Sequence, residues 1–121
     1  MQQQAEAALT NGAKVLVIDA VDSAAAGTIA DAAGPQNVPV ISYDRLITGS
    51  ANVNYYISFD DVKVGKLQAT ALMMALSGVV HPTITMINGN STDNNAAEFK
   101  QGAHNVFDPL VAAGKLTIAK E

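Results

Sequence analysis

The chain contains no cysteine and no tryptophan, and only 5% of its 121 residues are aromatic. Without cysteine there can be no disulfide framework and no thiolate metal site. The scarcity of aromatic side chains leaves few flat faces for stacking against the ring of a ligand. These absences narrow the chemistry that the chain can offer to a partner.

Basic residues and long apolar runs are also scarce. Seven lysines and arginines stand against eleven acidic residues, which gives a net charge of −4. No basic stripe is therefore available to neutralise nucleic-acid phosphates, and no nucleic-acid partner is predicted. No apolar run approaches the roughly 18 residues of a membrane span. Residues 1–4 lack the basic start and apolar core of a signal peptide, so the chain taken alone is expected to stay where it is made.

Helical and strand patterns alternate along the chain. Nearly half of the residues are apolar, too many for a disordered polypeptide, and the length suits about one domain. The predicted helices cover 2–11, 22–34, 60–77 and 93–114, and the predicted strands cover 14–18, 38–42, 55–59, 83–87 and 116–118. Short connections between alternating elements imply parallel strands, and continuous apolar runs imply strands covered on both faces. The predicted fold class is α/β, a Rossmann-like parallel sheet flanked by helices.

Side-chain spacing adds two details about the helices. Four apolar side chains of the third helix share one face, which is expected to pack inward: Val64, Leu67, Ala71 and Met74. Pro109 lacks the amide hydrogen that a helix interior needs, so the last helix is predicted to break there, with Asp108 capping a short restart.

Polar side chains follow two of the predicted strands. Asp44 and Arg45 come shortly after the apolar run at 38–42, and a segment rich in Asn, Ser, Thr and Asp at 88–95 follows the strand at 83–87. Ligands bind at the carboxyl ends of strands in parallel α/β sheets, so one pocket formed by both clusters is the leading hypothesis. The alternative for Asp44 and Arg45 is an exposed ion pair in a turn, which would contribute little energy.

Nearly the whole chain resembles, in register, the middle of type I periplasmic sugar-binding proteins, the soluble receptors of ATP-driven sugar importers. The likeness is greatest to the D-xylose-binding branch, and the matching segments are 15–18 (VLVI), 40–47 (VISYDRLI), 56–60 (YISFD), 64–65 (VG) with 67–69 (LQA), and 93–96 (DNNA). The resemblance implies two incomplete lobes, residues 1–58 and 59–121, with a hinge near Ser58. Roughly half of the family's pocket, including the first strand of lobe one, would lie outside the matched region.

The resemblance also implies the site and its partners. Asp44 and Arg45 correspond to the family's Asp-Arg sugar contacts, and Asp93 and Asn95 correspond to a second set before a helix. The implied ligand is a monosaccharide, D-xylose or a related pentose, and the implied partner is the membrane permease of an ABC importer. The parent receptors work in the periplasm or otherwise outside the cytoplasm, and the resemblance implies the same location. Asp93 and Asn95 have an alternative role as helix caps, because Asn95 and Glu98 have capping-box spacing.

Nothing in the sequence indicates an enzyme. It has no nucleophile elbow, no phosphate-binding glycine loop and no pair of carboxylates spaced for sugar hydrolysis. His81 and His104 have no partner at metal-ligand spacing, and no metal or other cofactor is predicted.

Two functional interpretations remain open at this stage. In the first, the chain is a sugar-binding module that pairs as a homodimer through exposed sheet edges, so that two chains complete the site. In the second, it is a stable α/β fragment that self-associates and no longer binds sugar. The effector-binding part of a lactose-repressor-type regulator shares this fold, but the absence of a helix-turn-helix or basic segment argues against that class.

Overall fold

The computed structural model describes residues 1–121 and divides into two compact units. Unit 1 comprises Met1–Phe59 together with Thr92–Asn94, and unit 2 comprises Asp60–Ser91 and Asn95–Glu121. None of the helices combines the length and the apolar character that a membrane crossing requires.

Unit 1 contains two helices and a three-stranded parallel sheet. Its elements are α1 (Gln2–Thr10), β1 (Leu16–Ile18), α2 (Gly27–Ala33), β2 (Val40–Tyr43) and β3 (Tyr55–Ile57), with a 3-10 turn at Gly34–Gln36. The strand order is β1-β2-β3, and Val17, Ile41 and Tyr55 are aligned across it. α2 starts at Gly27, later than predicted, because the Ala24 and Ala25 N–H groups donate to Asp22 Oδ1 in a separate turn before the helix.

Only one face of this sheet is covered. Leu16, Ile18 and Val40 form a core with residues of both α1 and α2, such as Leu9 and Ile29. Side chains alternate between the two faces of a strand, so the other face carries the exposed side chains Val17, Tyr43 and Tyr55. The prediction that the first strand is covered on both faces is wrong for this chain, because both helices pack on the same side.

Unit 2 contains two helices and two parallel strands. Its elements are α3 (Asp61–Ala75), β4 (Thr83–Thr85), α4 (Asn94–Ala112) and β5 (Thr117–Lys120), and β4 pairs with β5. The first residue of α4, Asn94, belongs to unit 1. The core is formed by four buried apolar side chains: Ala69, Ile84, Phe107 and Leu116. Helices and strands alternate along the chain, and the strands of both units pair in parallel, which confirms the predicted α/β fold class.

The two helices of unit 2 approach closely at two glycines. A Cβ atom at Gly65 would overlap the backbone of Phe99, and one at Gly102 would overlap the carbonyl oxygen of Val62. The small residues of α3 therefore face inward, and Gly65 and Ala69 are buried. The predicted inner face is wrong: Leu67 is 59% exposed and Met74 is 72% exposed.

The predicted break at Pro109 is also wrong. α4 runs through Pro109 to Ala112, and the next turn is held by a 3.1 Å hydrogen bond from the Ala113 N–H to the Pro109 carbonyl oxygen. Proline leaves the carbonyl of the residue four positions earlier without its helical donor, but Asn105 is exposed and its carbonyl can be hydrated. Gly114 follows the helix with a left-handed backbone, φ +66°, and the helix was predicted to end at this residue.

Candidate functional site

Asp44 and Arg45 lie at the carboxyl end of β2, in a tight turn. Asp44 has a left-handed backbone with φ of +60°, a conformation that costs most residues about 1–2 kcal/mol but that Asp tolerates better than most. Its N–H donates to the Ile57 carbonyl oxygen at 2.8 Å, and its carbonyl oxygen accepts from the Tyr56 hydroxyl at 3.3 Å. The Arg45 N–H donates to the Tyr43 carbonyl oxygen at 2.7 Å. Bonds to β3 thus hold the strained residue on both sides of its Cα atom.

The guanidinium group of Arg45 bridges two other segments of unit 1. Its Nε lies 3.1 Å from Asp93 Oδ2, and its Nη1 donates to the Ala20 carbonyl oxygen at 3.4 Å. The side chains of Arg45 and Asp93 are 37% and 18% exposed, so the ion pair contributes at most about 1 kcal/mol to stability. Its main consequence is geometric, because the two contacts fix the plane of the guanidinium group next to Asp44.

Ser42, the second-to-last residue of β2, is completely buried. Its hydroxyl donates to the Arg45 carbonyl oxygen at 2.7 Å and accepts from the Ile47 N–H at 2.8 Å. Sequence analysis treated Ser42 as a strand residue and missed this role. The available signal was a single hydroxyl at the end of an otherwise apolar strand.

Ser23 joins three segments of unit 1. Its N–H donates to the Thr92 carbonyl oxygen at 2.9 Å, and its carbonyl oxygen accepts from the Thr48 N–H at 2.8 Å. Its hydroxyl accepts from the Asn94 N–H at 3.1 Å. The residues on both sides of Asp93 are therefore hydrogen-bonded to one buried serine, a role that sequence analysis did not identify.

The two members of the second predicted pair occupy different positions. α4 begins at Asn94, which puts Asp93 at the N-cap position and Asn95 inside the first turn. Asn95 is buried in unit 2, whereas Asp93 belongs to unit 1. The alternative of Asn95 as the residue that caps this helix is wrong, since the helix has already begun. The structure thus places Arg45 against Asp93, with Asp44 adjacent in the chain.

This arrangement supplies both acceptors and donors at one edge of the sheet. The carboxylate groups of Asp44 and Asp93 accept hydrogen bonds, and the guanidinium group of Arg45 carries five N–H donors, of which the contacts to Asp93 and Ala20 engage two. Nowhere do three or more His, Asp or Glu side chains form a group that could hold a metal ion. Donors and acceptors therefore lie together at this edge, an arrangement suited to a polar ligand.

Comparison with known proteins gives a consistent set of relatives. All 121 residues match a family model described as a periplasmic binding protein domain. The chain is 41% identical over 118 residues to a multiple sugar-binding periplasmic receptor of Rhizobium radiobacter, covering 95% of this chain and 33% of the receptor. It is 35% identical over 115 residues to the D-xylose-binding periplasmic protein of Escherichia coli, covering 95% and 34%. The chain therefore spans about a third of the length of these curated relatives.

A solved structure shows the same architecture. The carbohydrate transporter solute-binding protein from Chloroflexus aurantiacus, in complex with D-glucose, superposes with a TM-score of 0.90 at 41% identity. The match covers 97% of this chain and 34% of that protein. The three relatives differ in the sugars that their names give.

Proposed function

Because the chain belongs to the periplasmic binding protein family, we propose that it binds a monosaccharide through Asp44, Arg45, Asp93 and Asn95. The observation that carries this proposal is the Arg45–Asp93 ion pair beside Asp44 at the carboxyl end of β2. In this proposal residues 1–58 and 59–121 are partial lobes of an extracytoplasmic receptor that delivers sugar to the permease of an ABC importer. The sugar is held and released unchanged.

The proposed contacts follow from the chemistry of sugar hydroxyls. Neighbouring hydroxyls each donate and accept, so the Asp44 carboxylate is suited to accept from two of them. The Nη2 group of Arg45 donates to a ring or hydroxyl oxygen while its other contacts, to Asp93 and Ala20, keep the guanidinium group in place. Hydrogen bonds to charged groups contribute about 1.5–3 kcal/mol each, which suits a small ligand that offers little apolar surface.

The preferred sugar is proposed to be D-xylose or a related pentose, in line with the residues shared with D-xylose-binding relatives. Isothermal titration of the folded chain with D-xylose, D-ribose and D-glucose tests both levels of the proposal. Saturable binding with xylose as the tightest ligand supports it. Tighter binding of glucose would support the proposal that the chain binds a monosaccharide and would overturn the proposed preference for a pentose. No heat with any of these sugars at millimolar concentration, from a folded chain, would overturn sugar binding by this chain.

Variants of Asp44 test the site itself. Asp44→Asn retains a residue type that tolerates the left-handed backbone, so the fold should be preserved. We expect it to weaken sugar binding about 10- to 100-fold, the equivalent of a charge-assisted hydrogen bond. Asp31→Asn is the matched control, because Asp31 is an exposed carboxylate of unit 1 that bonds to Ser50 and Asn52. If Asp44→Asn and Asp31→Asn bind sugar with equal affinity, Asp44 is not part of the binding site.

The alternative is a stable α/β fragment that self-associates without binding sugar, and the uncovered face of the unit 1 sheet favours it. Parallel sheets are normally covered on both faces, and their exposed edge strands favour pairing, so a second copy is proposed to pair here as a homodimer at the edge formed by β1. Sedimentation equilibrium of the wild-type chain should then show a dimer that Val17→Lys dissociates. Met74→Lys is the control, because Met74 is exposed in unit 2. A monomer at all concentrations would contradict self-association.

A further inference from the structure

Two buried serine hydroxyls bond to the backbone of the segments that carry Arg45 and Asp93, without touching either charged group. We infer that Ser42 and Ser23 are positioning residues that hold the Arg45 guanidinium and the Asp93 carboxylate in the geometry needed for sugar binding. This inference rests on the proposed function and deepens it.

The Ser42 hydroxyl determines where the backbone of Arg45 lies. It donates to the Arg45 carbonyl oxygen and accepts from the Ile47 N–H, so one side chain closes the turn that carries Asp44 and Arg45. Ser42 and Ile47 are both buried, so water has no ready access to replace these bonds. Loss of the hydroxyl would leave the Ile47 N–H without its acceptor and release the turn at the Arg45 carbonyl group.

Ser23 has the corresponding effect on Asp93. It bonds to the backbone on both sides of that residue, at Thr92 through its N–H and at Asn94 through its hydroxyl. Through its carbonyl oxygen it also holds Thr48, which closely follows Arg45 in the chain. One residue therefore fixes the acidic partner and the end of the loop that carries the basic partner.

Such fixed geometry matters because Arg45 has a long, flexible side chain. A site whose charged groups are already held loses less conformational entropy on binding, which is how supporting hydrogen bonds increase affinity without touching the ligand. The Arg45–Asp93 pair is partly exposed and weak, so it orients the guanidinium group only while the backbone of both residues is held by other contacts. The buried hydroxyls supply the rigidity that the pair lacks.

The test compares Ser42→Ala and Ser23→Ala with the wild-type chain by two readouts. In the sugar-free protein, NMR follows hydrogen exchange of the Arg45 Nε–H, the group that faces Asp93. For Ser23→Ala, which loses one side-chain hydrogen bond, we expect exchange to be about tenfold faster and sugar affinity to fall about tenfold, with unchanged stoichiometry. Ser42→Ala loses two such bonds and should show effects at least as large. Ser42→Thr retains the hydroxyl and should restore both values toward the wild type.

Asn54→Ala is the matched control for general loss of stability. Its Oδ1 accepts from the Val40 N–H at 2.8 Å, at the opposite end of β2 from Arg45. This variant should leave Nε–H exchange and sugar affinity unchanged. If it shifts them as much as Ser42→Ala does, both effects come from loosening of β2 and the positioning role is overturned.

The two proposals fail in different ways. Unchanged Nε–H exchange in both Ser42→Ala and Ser23→Ala overturns the positioning role, whether or not the chain binds sugar. Faster exchange in the serine variants, together with a wild-type chain that binds no sugar, supports the positioning of the Arg45–Asp93 pair and overturns the proposed function. Should Ser42→Ala fail to fold, Ser23→Ala alone decides between these outcomes.

Discussion

The two units build their cores in different ways. Unit 1 packs ten buried apolar residues, Leu16, Val40 and Ile29 among them, between one face of its sheet and two helices. The core cluster of unit 2 contains only four, and the two helices of that unit come together at Gly65 and Gly102. Side-chain burial therefore dominates in unit 1, whereas unit 2 depends on the close fit of backbone against backbone.

The polar interactions of the two units differ as well. In unit 1, buried hydroxyls hold a strained turn, since Asp44 adopts a left-handed backbone next to Ser42. In unit 2, a partly exposed cluster surrounds Glu121 Oε1, which accepts from Lys100 Nζ at 2.7 Å, Asn88 Nδ2 at 3.0 Å and His104 Nε2 at 3.1 Å. Unit 1 therefore has buried hydroxyls around a strained turn, whereas unit 2 has partly exposed ion pairs that respond to pH.

The largest expected effect is that of Gly102→Ala in unit 2. The added methyl group would overlap the Val62 carbonyl oxygen, so α3 and α4 would have to separate. We expect a loss of about 3 kcal/mol in the free energy of unfolding, at the upper end of ordinary overpacking. Hydrogen exchange should accelerate in α3 and α4. Gly78→Ala is the control, because nothing lies within 4 Å of its Cβ position and its stability should hardly change.

Val40→Ala tests the core of unit 1. The completely buried side chain loses two methyl groups, which should lower the free energy of unfolding by about 2 kcal/mol through lost burial and a small cavity. Exchange should accelerate at the amides of β1, β2 and β3, as measured residue by residue with NMR. Equal acceleration in both units after either this change or Gly102→Ala would contradict the idea of two separate cores.

Much of this fold could be predicted from the sequence, because its local signals agree. Apolar runs bounded by Gly, Pro and Asp predicted every strand and the order of the elements. Asp60 is one such local signal, since its side chain caps α3 by accepting a 2.9 Å hydrogen bond from the Lys63 N–H. The errors concern tertiary context. Nothing in the pattern reveals that α1 and α2 cover the same sheet face, or that α4 remains helical through Pro109.

The candidate site was only partly predictable for a similar reason. The positions of Asp44, Arg45 and Asp93 after strands were visible in the sequence, and their proximity followed from parallel topology. The contributions of Ser23 and Ser42 depend on contacts between segments far apart in the chain, such as the bond between Asn94 and Ser23. Periodicity cannot report such bonds, because they arise only after the sheet and its loops have formed.

The stability of unit 2 should depend on pH through His104. Hydrogen bonds to Asp108 and Glu121 raise the pKa of His104 above 6.5, and those from Lys100 and His104 lower the pKa of Glu121 from 4.5 to about 2. The contribution of charged His104 is complete below pH 6.5 and is lost as the pH rises through its raised pKa. That of ionised Glu121 is complete above about pH 4.5 and is lost as the pH falls toward 2.

Urea unfolding at a series of pH values measures this dependence. The contribution of the cluster should be greatest between about pH 4.5 and 6.5, where both groups are charged. His104→Gln should remove the decline above pH 6.5, while Glu121→Gln should affect both sides of the window. Lys63→Gln is the control, since Lys63 lies outside the cluster. An unaltered pH profile in His104→Gln would show that the cluster does not contribute.

The smallest expected effect distinguishes the two possible inner faces of α3. If Leu67 faced the core, as its spacing with Val64 and Met74 predicts, Leu67→Ser would cost several kcal/mol. In the structure Leu67 is 59% exposed, so we expect a change within about 0.5 kcal/mol. Ala69→Leu makes the opposite comparison, because overpacking this buried position should cost about 1–3 kcal/mol. A large loss from Leu67→Ser with little from Ala69→Leu would restore the face predicted by spacing, and the glycine contacts of α3 and α4 would no longer explain how unit 2 is packed.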